Sequence, residues 1–200
     1  MGTGLPDEST VWARAIEGDS ASFGLIFDTN RDRVYGQALR LLRMSHDAED
    51  ATALVFLEAW RKRSSVRLVD GSIAAWLLVT TNYVSRNLTR TQRRYRALMV
   101  KAGRPGLSED HSDAVLDRVA AGKREAQVRT AFAQLTHNDQ DVLTLCVLNE
   151  FTLAEAADSL GVPVGTVKSR LSRAKQRLSV LTSAQSSEGA DQAIEWGEVK

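Results

Sequence analysis

The stretch VGTVKSRLSRAKQRL, residues 164–178, carries side chains suited to a polyanion. Lys168, Arg170, Arg173, Lys175 and Arg177 bring cations, Thr166, Ser169 and Ser172 bring hydroxyls, and Gln176 an amide. No acidic residue occurs between Asp158 and Glu188. At about 100° per residue, Thr166, Ser169, Arg173 and Arg177 share one side of a helix, with Ser172 and Gln176 beside them. Val164, Val167, Leu171, Ala174 and Leu178 take the other side. Long basic side chains can bond guanine edges or phosphates, and hydroxyls can serve either. This is recognition chemistry. A solvated amphipathic helix is the plain alternative, and the acid-free outer face speaks against it.

Residues for bond-making do not gather anywhere. The sequence has no Gly-rich phosphate loop, no HExxH and no Cys/His cluster. His46, His111 and His137 each stand singly beside a turn or in a loop-like stretch. No catalytic residue, metal or cofactor is expected. Cys146 shares an apolar helix face with Val142 and Leu145 and reads as a buried structural thiol. A chain with one cysteine has no intramolecular disulfide.

The segment before the basic helix positions it. Thr152 can cap a helix, and Glu155 three residues on completes a capping box. Leu153, Ala156, Ala157 and Leu160 follow at helical spacing. Gly161 stands where that helix must stop, since glycine accepts the left-handed cap conformation. Pro163 suits the first turn of the next helix. Helix, tight turn and basic helix together read as a helix-turn-helix.

The net charge of +1 conceals segregation. Residues 71–108 carry 7 basic and no acidic side chains, and residues 109–158 carry 4 basic and 10 acidic. Residues 159–187 carry 5 basic and none acidic. Two separate positive surfaces imply two polyanion contacts. The first lies on a helix expected from about Ile73 to Arg96. Leu77, Thr81, Val84 and Leu88 form its packing face. Asn82, Arg86, Arg90 and Arg93 are expected opposite, with Tyr83, Asn87 and Arg94 nearby. Cations interleaved with aromatic and amide groups suit phosphates and unstacked bases.

Upstream, helices are expected from Ser9 or Thr10 to Ile16, then after an Asp19-Ser20 cap, then from Ser45 or Asp47. That last helix starts acidic (Asp47, Glu49, Asp50) and ends basic, as the helix dipole favours. Its acids read as helix-end charges, with a docking surface for a basic partner as the alternative. Gly103-Arg104-Pro105-Gly106 breaks helices. The segment after Leu181 is small, polar and acidic and reads as disordered. No strand alternation occurs, no apolar run approaches the ~20 residues of a membrane span, and MGTGLPDEST has no signal-peptide pattern. A cytoplasmic location is expected.

DAEDATALVFLEAWR (Asp47–Arg61), AAWLLVTTNYVSRNLTR (Ala74–Arg90) and LAEAADSLGVPVGTVKSRLSRAKQRL (Leu153–Leu178) together resemble the extracytoplasmic-function (group IV) sigma factors of bacterial RNA polymerase. The resemblance covers nearly all of residues 8–181. It implies an all-α fold: two small helical domains joined by a flexible linker, the C-terminal one a helix-turn-helix. The implied boundaries are 7–97 for sigma region 2, 98–123 for the linker, 124–181 for sigma region 4 and 182–200 for the acidic tail.

The resemblance also implies roles. Asp47, Glu49, Asp50, Phe56 and Trp60 match the segment that docks on the coiled coil of the largest subunit of core RNA polymerase, which reverses the reading of those acids as helix-end charges. The loop around Val66–Ser72 and the helix from Trp76 match the segment reading the melted, single-stranded −10 element. Asn82, Tyr83, Arg86, Asn87, Arg90, Arg93 and Arg94 are its candidates. Thr166, Lys168, Ser169, Arg170, Ser172, Arg173 and Arg177 match the recognition helix on the duplex −35 element. An anti-sigma factor is a further partner of the family. The sequence departs from the family pattern at Ala53, Leu54 and Tyr83. A stand-alone helix-turn-helix regulator is the alternative function; an enzyme using the module for targeting would need a nucleophile or metal cluster.

Overall fold

The computed structural model describes residues 7–101 and 119–194, and its regular structure is helical apart from an isolated bridge between Val69 and Ser72. The first half comprises α1 (Glu8–Ile16), α2 (Ser20–Leu42), α3 (Ser45–Arg61) and α4 (Ala74–Lys101). The second comprises α5 (Val119–Gln134), α6 (His137–Leu143), a π-helical turn (Thr144–Leu148), α7 (Leu153–Leu160) and α8 (Val164–Ile194).

Local chemistry sets the helix starts. The Asp19 carboxylate accepts from the Ala21 N–H at 3.0 Å and from Ser22 Oγ at 2.7 Å, capping α2. The Ser22 bond, then the Ala21 bond, lowers the pKa of Asp19. Asp70 and Gly71 take positive φ in the turn before α4. There Glu8 accepts from Ser72 Oγ at 3.0 Å and from the Ile73 N–H at 3.1 Å. A carboxylate from α1 therefore holds the entrance to α4.

The first half closes around Trp12, Ala15, Ile26, Val34, Val55, Ala59, Ile73 and Leu77, all buried. Phe56 is also buried and meets Phe27 edge-on at 4.7 Å between ring centres. Trp60 meets Phe23 edge-on at 5.0 Å. Such edge contacts add about 0.5–1.5 kcal/mol beyond area burial.

The second core does not stop at the second half. Phe132, Leu135, Val142, Leu143, Leu145, Ala156, Ala157, Val167 and Ala174 cluster with Val69, Ala75 and Leu78 of the first half. Helix α4 is thus a wall common to both. Cys146 is half-buried at this layer, and burial pushes its pKa up, keeping it a thiol.

Two boundaries differ from expectation. Helix takes both ends of the expected linker, because α4 meets no breaker before Gly103 and α5 tolerates Gly122 in its interior at about 1 kcal/mol. Residues 102–118, which hold the rest of that linker, lie outside the described residues. Residues 182–194 continue α8 where disorder was expected. Extending an existing helix adds one bond per residue fixed, without the cost of nucleation, and this stretch contains Ala184, Gln185, Glu188, Ala190 and Ala193. The remainder of the expected tail, residues 195–200, lies outside the described residues.

Candidate nucleic-acid interface

The helix-turn-helix forms as its residues require. Thr152 Oγ1 accepts from the Glu155 N–H at 3.2 Å, and the Glu155 carboxylate accepts from the Thr152 N–H at 2.6 Å. Gly161 ends α7 at φ 63°, in the left-handed region. Pro163 precedes α8, and its carbonyl accepts from the Thr166 and Val167 N–H groups. Val167 and Ala174 anchor α8 in the core, with Leu171 and Leu178 partly buried beside them. Val164, expected on that side, is exposed.

Lys168, Ser169, Ser172 and Arg173 stand exposed along the first turns of α8. Thr166 and Arg170 are half-buried. Arg173 Nε donates to the Ser169 carbonyl at 3.3 Å, laying the guanidinium along the helix. Arg177 is exposed, yet its Nη1 lies 2.5 Å from a carboxylate oxygen of Asp139, a buried residue of α6.

On α4 the expected basic face divides. Tyr83 (59 % exposed), Asn87, Arg90, Arg93 and Arg94 face solvent. Trp76 is partly buried against the first core. Asn82 was expected to project outward, yet it is 1 % exposed. Its Nδ2 donates to Asp141 Oδ1 at 2.9 Å and to Thr144 Oγ1 at 3.0 Å. Its Oδ1 accepts from Gln37 Nε2 at 2.9 Å. Gln37, itself fully buried on α2, also donates to Thr144 Oγ1 at 3.2 Å. Arg86 is half-buried, donating to Gln140 Oε1 at 3.0 Å and lying 3.8 Å from Asp141. Burial depresses the Arg86 pKa against the pull of Asp141, and burial raises the Asp141 pKa against its bond from Asn82 and the charge of Arg86. Desolvation outweighs attraction on both sides, so the pair sets position more than it adds stability.

Further contacts run alongside. Arg33 donates to Asn149 Oδ1 at 3.1 Å and lies over the Phe151 ring at 5.5 Å. Arg67 pairs with Asp158 at 3.7 Å on the exposed rim. Arg33, Arg67 and Arg86 of the first half thus all meet partners on residues 140–158 of the second.

On α3, Glu49 and Asp50 are exposed, while Asp47 is half-buried and accepts from Gln92 Nε2 at 3.0 Å. Phe56 is 4 % exposed and belongs to the aromatic core, which corrects its expected place at a docking surface. Trp60 is half-buried, with the Arg63 guanidinium 4.4 Å above its ring. Leu54, singled out in the sequence only as a departure from the family pattern, and Leu57, which sequence reasoning passed over, are 42 % and 54 % exposed on the same helix as Asp50. Their signal was available: they fall between the buried positions Ala51, Val55 and Ala59 of the same helix.

Helical structure among the described residues, with a basic helix-turn-helix in the second half, is the arrangement of a DNA-binding class. Sigma-70 region 2 matches residues 26–95, and Sigma-70, region 4 matches residues 125–178. The ECF RNA polymerase sigma factor SigK of Mycobacterium tuberculosis strain H37Rv is 28% identical over 172 residues, 86% of this chain and 91% of that one. SigK of Mycolicibacterium vanbaalenii is 30% identical over 155 residues, 76% of this chain and 78% of that one. The structure of CnrH in complex with the cytosolic domain of CnrY shares the fold, with TM-score 0.59 and 22% identity over 90% of this chain and 99% of that one. The chain belongs to the ECF sigma factors of RNA polymerase. Among the described residues, no helix is long and apolar enough to cross a membrane.

Proposed function

We propose that this chain acts in the cytoplasm, without enzymatic activity of its own, as the subunit that brings core RNA polymerase to −35/−10 promoters and helps open them. The observation that carries the reading is the order of parts: region 2 on the four-helix half, then region 4 ending in an exposed, acid-free helix face.

Three surfaces divide the work. Lys168, Ser169, Ser172 and Arg173 contact the −35 duplex in the major groove, with Thr166 and Arg170 at the margin. Tyr83, Asn87, Arg90, Arg93 and Arg94 meet the opened −10 strand, with Trp76 and Arg86 at the margin, while Asn82 holds the fold from within. Extruding a base costs a few kcal/mol, which aromatic stacking at about 1–3 kcal/mol per base and phosphate contacts can offset. Glu49, Asp50, Leu54 and Leu57 form the docking strip on α3, with Asp47 and Trp60 at its ends, and the partner is the coiled coil of the polymerase's largest subunit. Residues 7–97 form the docking and −10 domain, and residues 124–181 form the −35 domain. An anti-sigma factor is the natural regulator of such surfaces.

Run-off transcription with purified core polymerase tests this. Promoter-dependent initiation on adding the chain is expected. Duplex binding with no initiation at any promoter would replace the reading with a stand-alone helix-turn-helix regulator.

A further inference from the structure

Residues 62–73 join α3 to α4, and α1 holds both ends of that loop. At the far end the half-buried Glu8 carboxylate accepts from Ser72 Oγ at 3.0 Å and from the Ile73 N–H at 3.1 Å. Ser72 Oγ in turn accepts from the Ala74 N–H at 3.1 Å, so the loop's exit and the first turn of α4 share one anchor. Asn30 of α2, 5 % exposed, donates to Glu8 Oε1 at 3.4 Å and steadies it. Gly71 lies over the start of α1: a Cβ there would stand 3.9 Å from Asp7 Oδ1 and from Ser9 Cβ. At the near end, Arg63 Nε donates to the Ile16 carbonyl at 3.3 Å. That carbonyl ends α1, where helical partners run out. Between the two ties, Val66 and Leu68 pack on the core that holds Val11, Trp12 and Ala15 of α1. Ser64, Ser65, Arg67 and Asp70 are left exposed. The Sigma-70 region 2 match begins at residue 26, so both ties come from a helix outside it.

We propose that α1 is a splint for this loop and that Glu8 is a positioning residue for base choice in the opened −10 strand. Glu8 touches no DNA; it fixes the backbone from which the exposed loop side chains reach. The role rests on the promoter-reading function given above to the first half, and on the loop's likeness to the strand-reading segment. A loose loop would have to be ordered as the strand binds, at a cost in affinity and discrimination. Here the ordering is done within the fold, on a rigid scaffold of the kind that commonly carries binding loops. Trp12, one helical turn after Glu8 and 2 % exposed, keeps the splint itself in the core.

The test uses holoenzyme assembled from core polymerase and the full chain. The template is a promoter library randomised across the −35 and −10 elements, each member carrying a transcribed barcode. Sequenced transcripts give the base preference at every position. Glu8→Ala removes the acceptor. Glu8→Gln keeps an oxygen for the Ile73 N–H and an amide that can donate to Ser72 Oγ. Glu8→Ala is expected to lower preference about tenfold at neighbouring −10 positions, the order of one base contact. Preference in the −35 element stays unchanged. Arg63→Ala, which releases the other tie, lowers preference at the same −10 positions, and Glu8→Gln stays close to wild type. A fall in output that is equal on all sequences makes Glu8 merely structural and overturns the proposal. So does an alanine profile equal to wild type, or a glutamine profile as flat as alanine's. If circular dichroism shows Glu8→Ala unfolded, Arg63→Ala decides by the same outcomes from a half-exposed position. Promoter-dependent transcripts that no variant shifts sink the splint alone. No promoter-dependent transcript from the wild-type chain sinks the sigma role, and the splint with it.

Discussion

Arg177 of α8 reaches back to Asp139 of α6, with 2.5 Å between guanidinium nitrogen and carboxylate oxygen. A residue at a recognition-helix position thus spends its charge inside its own half. Arg177→Ala should lower thermal stability, by about 1–3 kcal/mol for a buried carboxylate left without its donor, with the half-exposed guanidinium favouring the low end. Duplex affinity should change little. Melting curves and anisotropy on a −35 duplex separate the two effects, and the reverse pattern would place Arg177 on DNA.

Arg173 is the contrasting neighbour. It is exposed one turn earlier on the same helix. Arg173→Ala should cost about 1–3 kcal/mol at one promoter position and relax base choice there. Binding measured across a set of single-base promoter variants checks this; uniform weakening would make it a phosphate contact.

Arg90→Ala should weaken promoter opening more than duplex binding. Permanganate reactivity of unpaired thymines in the −10 region reads opening directly. A footprint equal to wild type would remove Arg90 from the melting surface.

Phe56 and Leu57 are adjacent in the chain and opposite in consequence. Phe56→Ala empties a place in the aromatic core and should cost about 3–5 kcal/mol of stability. Leu57→Glu, on the exposed side of α3, should leave melting nearly unchanged and weaken polymerase binding by about 2 kcal/mol or more if it is a centre of the docking strip. Denaturation curves paired with core-polymerase titration measure both.

Asp141 gives a pH dependence. Burial, the largest cause, raises its pKa in the folded chain above the usual 3.8. The folded state thus holds this proton to higher pH than the unfolded state. The group favours folding as pH falls through the raised value and opposes it at neutral pH, where the carboxylate is charged. Asp141→Asn keeps an oxygen for Asn82 and removes the buried charge. It should be at least as stable as wild type at neutral pH, with the advantage shrinking in acid. Urea denaturation across that range checks the sign; a variant that is weaker at neutral pH and gains as acid is added would reverse it.

Local rules made much of this architecture readable. The capping box at Thr152 and Glu155, the left-handed Gly161 and the exposed Lys168–Arg173 face follow from neighbours in sequence. What escaped was set at a distance. Asn82 reads as an outward amide on a basic helix, but Gln37, Asp141 and Thr144, 45, 59 and 62 residues away, hold it inside. The pairing of Arg177 with Asp139, 38 residues earlier, is likewise set at a distance. Phe56 lies on the inner side of α3 because Phe23 and Phe27 of α2 wait there. Helical periodicity gives the angle of a side chain around its own axis. It does not say how many sides of that axis will be covered.

Leu78 and Ala75 of α4 pack with Leu145 and Phe132 of the second half, so parting the halves would wet apolar surface as well as break the polar knot. Apolar contact in water weakens on cooling because its driving force is largely entropic near room temperature. The joint should therefore have a thermal signature of its own: a positive heat-capacity change on opening, and a seam that loosens in the cold before either half melts.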